Sequence, residues 1–333
     1  MTPARSNPRC RAAALIVTAA ALITLAAALA PRPLRGVPAP SYRYGYIDRS
    51  GKLVIPARYE RADPFSGGVA FVMENGAGGY IDRGGGTAVP FRYADGGAFS
   101  GGPGDKLAPV LLPGEGWGYV DRQGRTAVPF RFSGARSFSE GLAAVKTGAL
   151  WGYIDPDGAQ VIQPRFQQAL EFSGGRAPAA LDGGWDGDEK LLSWGYIDPT
   201  GALAIPVRFD RASPFSEGLA LVGERVAART YRYGYVDRSG RQVIPCVYTY
   251  ARDFQEGCAA VSDGRRWGLI DRSGAQVAPL ELDQAVGCGP GPFPAYKKVR
   301  FGYVDRAGRK VIPFRFDDAG AFSEGLAPVG FKE

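Results

Sequence analysis

The sequence predicts an all-β protein: eight tandem units of about 34 residues, each a three-stranded antiparallel meander, closed into a propeller-like ring. Three observations predict it. The motif G-[YL]-[IV]-D recurs eight times, with its glycine at Gly45, Gly79, Gly118, Gly152, Gly195, Gly234, Gly268 and Gly302, at spacings of 34, 39, 34, 43, 39, 34 and 34. Glycine and proline, 48 and 26 copies, recur along the whole chain, which implies many tight turns and no single disordered tail. The first unit starts at Tyr44 with no strand before it, and the last ends on "GLAPV" with none after it, so the two orphan strands can pair and close the ring. An open β-solenoid is the alternative, but its end units need caps and the sequence supplies none.

Taken in order, residues 1–30 read as an export signal or N-terminal membrane anchor. Arg5, Arg9 and Arg11 precede an uncharged apolar run over 12–30. As a helix these 19 residues span about 28 Å, close to a bilayer core of about 30 Å. Ala28 and Ala30 offer a cleavage site, although Pro31 fits poorly after it. Cys10 lies before the apolar run, which argues against a lipid-modified cysteine. The arginines place the N-terminus in the cytoplasm and the remainder outside. The expected location is the periplasm or the outer side of the inner membrane, or the medium if the signal is removed. Residues 31–43 form a proline-rich spacer and residues 44–333 the repeat domain.

Within a unit, an aromatic-Gly-Tyr-Ile/Val-Asp strand enters an Asp-x-x-Gly turn, where Asp bonds turn amides and Gly takes positive φ. A segment such as "LVIPARY" completes the hairpin, and "FSEGLAAV" leads to a third strand. The slot before the motif glycine holds Tyr44, Trp117, Trp151, Trp194, Tyr233, Trp267 and Phe301, read as core rings between units. A second layer is expected from Phe65, Phe99, Phe138, Phe172, Phe215, Phe254 and Phe322, with the seventh unit lacking one.

These units resemble bacterial WG repeats, defined by Trp-Gly, a Tyr-Ile/Val-Asp strand, a Gly turn and a "VIP" segment. The resemblance covers residues 44 to 329, and four copies keep the Trp. It implies a binding or scaffolding module and carries no catalytic motif.

Composition narrows the chemistry. Of the net charge of +7, five cations lie in the first forty residues with no acid, leaving +2 elsewhere. Interleaved charges of both signs argue against nucleic acid. The chain has no histidine, which removes the commonest general base and metal ligand. No cofactor or metal is expected. Ser323 in "AFSEG" has no base partner, and Asp48, Asp82, Asp121, Asp155, Asp198, Asp237, Asp271 and Asp305 supply one acid per unit, as turn caps do and calcium loops do not. An enzyme would require Glu140, Glu217 and Glu324 to converge. Cys258 replaces a Leu and reads as a small buried side chain. Cys246–Cys258 and Cys258–Cys288 are the pairings an oxidising compartment would permit.

Function is therefore expected in departures from the repeat. Residues 182 to 193, "DGGWDGDEKLLS", insert Trp185 with Asp182, Asp186, Asp188 and Glu189, a candidate partner-binding loop. Insertions from Gly223 and Gly287 are lesser candidates. The expected role is a non-catalytic scaffold for a cell-envelope protein, with a glycan-binding module using the repeat aromatics as the alternative, and membrane attachment through residues 12–30 if uncleaved.

Overall fold

A computed structural model describes residues 41–99, 106–186, 189–282, 291–297, 299–305 and 309–333. The N-terminal signal or anchor, most of the spacer, Cys10, Cys288 and Asp188 lie outside the described residues. Among the described residues there is no helix, hence none long and apolar enough to cross a membrane. The described strands form eight small antiparallel sheets, seven of four strands and one with three described. They are the blades of an eight-bladed β-propeller.

The ring closes as the orphan strands predict. Blade 1 joins Asp318–Ala319 and Leu326–Lys332 from the C-terminus to Tyr42–Asp48 and Leu53–Tyr59 from the first unit. Leu326–Lys332 pairs with Tyr42–Asp48 at every residue, from Tyr42↔Lys332 to Asp48↔Leu326. The remaining blades follow in chain order. Blade 4 is typical: Gly134–Ala135, Ala143–Thr147, Leu150–Ile154 and Gln160–Phe166, neighbours in that order. The first strand corrects the three-stranded meander, because two residues are too short to display any hydrophobic alternation. It forms when Gly134 and Ala135 pair with Lys146 and Val145.

The long strand at each sheet edge carries a proline, such as Pro56, Pro206 and Pro313, which cannot donate to an added strand and so guards the edge against aggregation. All eight motif aspartates cap their turns as expected. Asp121 Oδ1, for instance, accepts the amides of Gln123 and Arg125 at 2.9 Å each, and Gly124 there has φ of 75°.

One set of contacts recurs between successive blades, the junction from blade 7 to blade 8 excepted. The motif tyrosine is fully buried and donates its hydroxyl across the junction: Tyr46 to Asp63 O at 2.7 Å, Tyr153 to Leu170 O at 2.8 Å, Tyr303 to Gly320 O at 2.9 Å. Its ring meets the second-layer phenylalanine of the next blade, as in Tyr46–Phe65 and Tyr235–Phe254, with centroids 4.9 and 4.8 Å apart. The arginine of the long strand stacks on its neighbouring ring and donates to the next blade's turn carbonyl, as Arg131 does on Phe132 and to Gly158 O at 2.8 Å. That turn glycine must be small, since a Cβ on Gly158 would stand 2.9 Å from Val128.

Cys258 is buried and disulfide-bonded, whereas Cys246 is a free thiol, so the Cys246–Cys258 pairing is excluded. Burial, with the nearby Glu224, pushes the Cys246 thiol up to about 12 and keeps it protonated at neutral pH.

Candidate functional site

Antiparallel strands put successive turns at opposite ends of a blade. One end carries the "FSEG" and Asp-x-x-Gly turns; the other, here the hairpin end, carries the tips of the hairpins containing the motif glycine.

At the turn end, equivalent turns of successive blades touch. Ser323 Oγ donates to Phe65 O at 2.6 Å, Ser66 to Phe99 O at 2.6 Å and Ser139 to Phe172 O at 2.6 Å. Equivalent points of an eight-membered ring come this close only near its axis. Ser323 is thus a junction residue.

The glutamates beside these serines are also structural. Glu140, Glu217, Glu256 and Glu324 have φ between 50° and 54°, a left-handed conformation that costs a side chain about 1 kcal/mol or more. For three of them, bonds to the next blade offset this cost. Glu324 accepts from Gly68 N at 2.9 Å and Arg83 at 2.8 Å; Glu217 accepts from Gly257 N at 2.9 Å and Arg272 at 3.0 Å. Glu140 faces a unit with Pro199 in place of that arginine and takes two amides instead, Gly174 and Gly175. Desolvation raises the pKa of Glu217 and Glu324, but these hydrogen bonds outweigh it and hold both carboxyls below the usual range. Sequence reasoning missed this use of the arginine after the motif aspartate. The signal was a Glu in one unit matched by an Arg or Pro in the next.

The repeat tryptophans belong to the core. Trp151 and Trp194 are 7% and 8% exposed, and Trp117 and Trp267 are half-buried against their blades' clusters. Exposed aromatic surface lies elsewhere, in the 182–193 insertion. It is no loop: it lengthens the blade 5 hairpin into Ala177–Asp186 and Glu189–Ile197, with Asp186↔Glu189 at the tip and a bulge at Gly183 and Gly184. Four pairing levels beyond the blade 4 hairpin raise the tip by about 13 Å. Trp185, opposite Lys190, is 68% exposed and so is not folded back onto the blade. Asp182 is exposed, accepts Gly184 N at 2.9 Å and pairs with Lys190 at 3.3 Å, bonds that hold its carboxyl below its usual value. Of the predicted set, the hairpin thus brings together Trp185, Asp182 and the backbones of Asp186 and Glu189.

Blade 6 is lengthened in the same way, as Leu219–Ala227 and Thr230–Asp237, so the insertion from Gly223 is also a hairpin extension. Between the two blades a cavity of about 420 Å³ is lined by Ile205, Pro206, Phe209, Gln242, Glu224 and Arg208, whose guanidinium is engaged by Gly240 O. Among the described residues, no three acid or cysteine side chains are grouped to hold a metal ion.

The family described as WG containing repeat matches residues 44–76, 79–112, 117–151, 151–185, 194–224, 233–265 and 301–331, well over half of the chain. The chain belongs to the WG-repeat family. The WG unit left unmatched is the seventh, starting at Trp267. No curated protein matches the chain in sequence. Among solved structures, apo AztD from Citrobacter koseri is similar at 13% identity and TM-score 0.44, over 88% of this chain and 99% of that one. The Pan2 WD40 domain of Neurospora crassa is similar at 12% identity and TM-score 0.40, over 87% and 95%. The lmo1340 protein of Listeria monocytogenes is similar at 9% identity and TM-score 0.42, over 74% and 89%.

Proposed function

We propose that the protein is an exported or membrane-tethered, non-catalytic scaffold that binds a partner protein of the cell envelope through the blade 5 hairpin. The observation that carries this reading is Trp185, a large ring 68% exposed at the end of a raised, acid-flanked hairpin on a rigid ring. Exposed aromatic anchors of this kind dominate protein interfaces. The burial of Trp151 and Trp194 weighs against a glycan platform made from the repeat aromatics. The engagement of Glu140, Glu217 and Glu324 in junctions weighs against a carboxylate enzyme.

Photocrosslinking from position 184 of the tagged full-length protein in its native envelope tests this. One partner is expected to be captured, and Trp185→Ala or Asp182→Lys should abolish capture while leaving the melting temperature unchanged. Capture that survives both substitutions sinks the proposal.

A further inference from the structure

The hairpin end is not uniform around the ring. On blades 6 to 8 it raises apolar side chains into solvent: Val226 is 58% exposed and Val299 74%, with Tyr250 and Tyr296 exposed beside them. Arg229, Arg265 and Arg266 are exposed at the same tips, as is Arg300, which pairs with Asp317 at 2.5 Å. Asp263 and Glu224, exposed at these tips, are held by local bonds. Asp263 accepts the amides of Arg265 and Arg266 at 2.8 and 2.9 Å, and Glu224 bonds the Cys246 thiol. Arg232 bonds Thr249, whose hydroxyl donates to Asp263 O at 2.8 Å, so the tips of blades 6 and 7 are held together. Across the ring, the hairpin ends of blades 1 to 4 show no exposed large hydrophobic among the described residues and carry Glu115 beside paired charges, Arg43 with Glu60 and Glu333 and Arg58 with Glu74.

We infer that the hairpin end of blades 6 to 8 docks onto an anionic lipid surface. Single apolar side chains on turn tips, flanked by arginines, match a bilayer interface, where the chains enter the acyl boundary and the cations meet lipid phosphates. The chain's own connection leads the same way. Strand Tyr42–Asp48 starts at the hairpin end, in the blade next to blade 8. Only residues 31–41 separate it from the apolar run 12–30. Eleven residues, if fully extended, would span about 34 Å. The acidic blade 5 hairpin lies at the edge of the arc, where an anionic surface repels it and leaves Trp185 to a protein.

Every blade, the closing one included, is built from residues between Tyr42 and Lys332, so residues 41–333 carry the whole ring and can be assayed without the apolar run. The assay is sedimentation with vesicles of phosphatidylglycerol and phosphatidylcholine, against phosphatidylcholine alone. Binding is expected to the anionic vesicles only and to fall with added salt. The triple variant R229E/R265E/R266E should lower the partition coefficient at least about hundredfold, because each lost cation removes about 1 kcal/mol at such a surface and each new carboxylate is repelled by it. V226D/V299D should lower it by tenfold or more, and Trp185→Ala should leave it unchanged; melting temperatures verify that each variant is folded. Equal binding to both vesicle types, no binding, or binding indifferent to the arginine variants overturns the inference. So does a triple variant that loses an acidic protein partner yet keeps its vesicles. The partner reading fails on Trp185 and this one on lipid, so the two failures are distinguishable.

Discussion

Two neighbouring junctions of the ring are built differently. From blade 8 to blade 1, Tyr303 donates to Gly320 O and packs on Phe322 at 5.0 Å, Arg315 donates to Gly51 O at 2.6 Å, and Ile312 fills the space over Gly51. From blade 7 to blade 8 the same slots hold Leu269 in place of tyrosine and Glu281 in place of arginine, and no second-layer phenylalanine exists in the sequence. Among the described residues the buried cluster there is Cys258, Ala260, Leu269, Ala295 and Val304, with Trp267, Phe293 and Phe314 packed against it. The difference teaches that closure can carry what a junction without the tyrosine–phenylalanine contact lacks. In a closed ring a blade cannot leave through one interface, because the other still holds it, and every backbone pair of the closing sheet must break as well.

The largest way to break this comparison is to remove the closure. Deleting residues 326–333 leaves Tyr42–Asp48 without the strand that pairs with it at every residue. Cooperative thermal unfolding by circular dichroism should disappear, and a retained sharp transition would show that closure is dispensable. Next in size are matched truncations of two side chains that are each 1% exposed. Ile312→Ala should cost about 3 kcal/mol and Leu269→Ala about 2 kcal/mol in urea unfolding, within the usual range for such changes. The reverse order would mean that the seventh junction is not the weaker.

Tyr303→Phe removes only the hydroxyl bonded to Gly320 O, and a loss of about 1 kcal/mol is expected. Glu324→Gln should have the smallest effect, a slight destabilisation at neutral pH that vanishes in acid. The sign follows from its depressed pKa: the contribution is present above the unfolded carboxyl value and is lost as pH falls through the folded value. Wild-type and variant stabilities should therefore converge only once the pH has fallen below the depressed folded-state value. A gap persisting there would assign the effect to packing.

Much of the ring was legible because each unit repeats its instructions. Tyr46, Tyr153 and Tyr303 occupy one sequence slot and make one contact. The candidate site was legible only as a departure from that pattern: Trp185 and Asp182 stood out, yet the insertion reads as a loop because Gly183 and Gly184 break the alternation that marks strands. Illegible altogether were pairs such as Glu324 with Arg83, 241 residues apart, and the two-residue first strands.

By itself the sequence determined the repeat, its turns and its core rings, since glycine φ, aspartate capping and hydrophobic alternation act over a few residues. The tertiary structure alone decided that a glutamate sits at positive φ to bond a neighbouring blade, and that Val226, Tyr250, Tyr296 and Val299 share one end of the ring. Those relations depend on which blades become neighbours and which way each hairpin points, and both are settled only when the first and last strands pair.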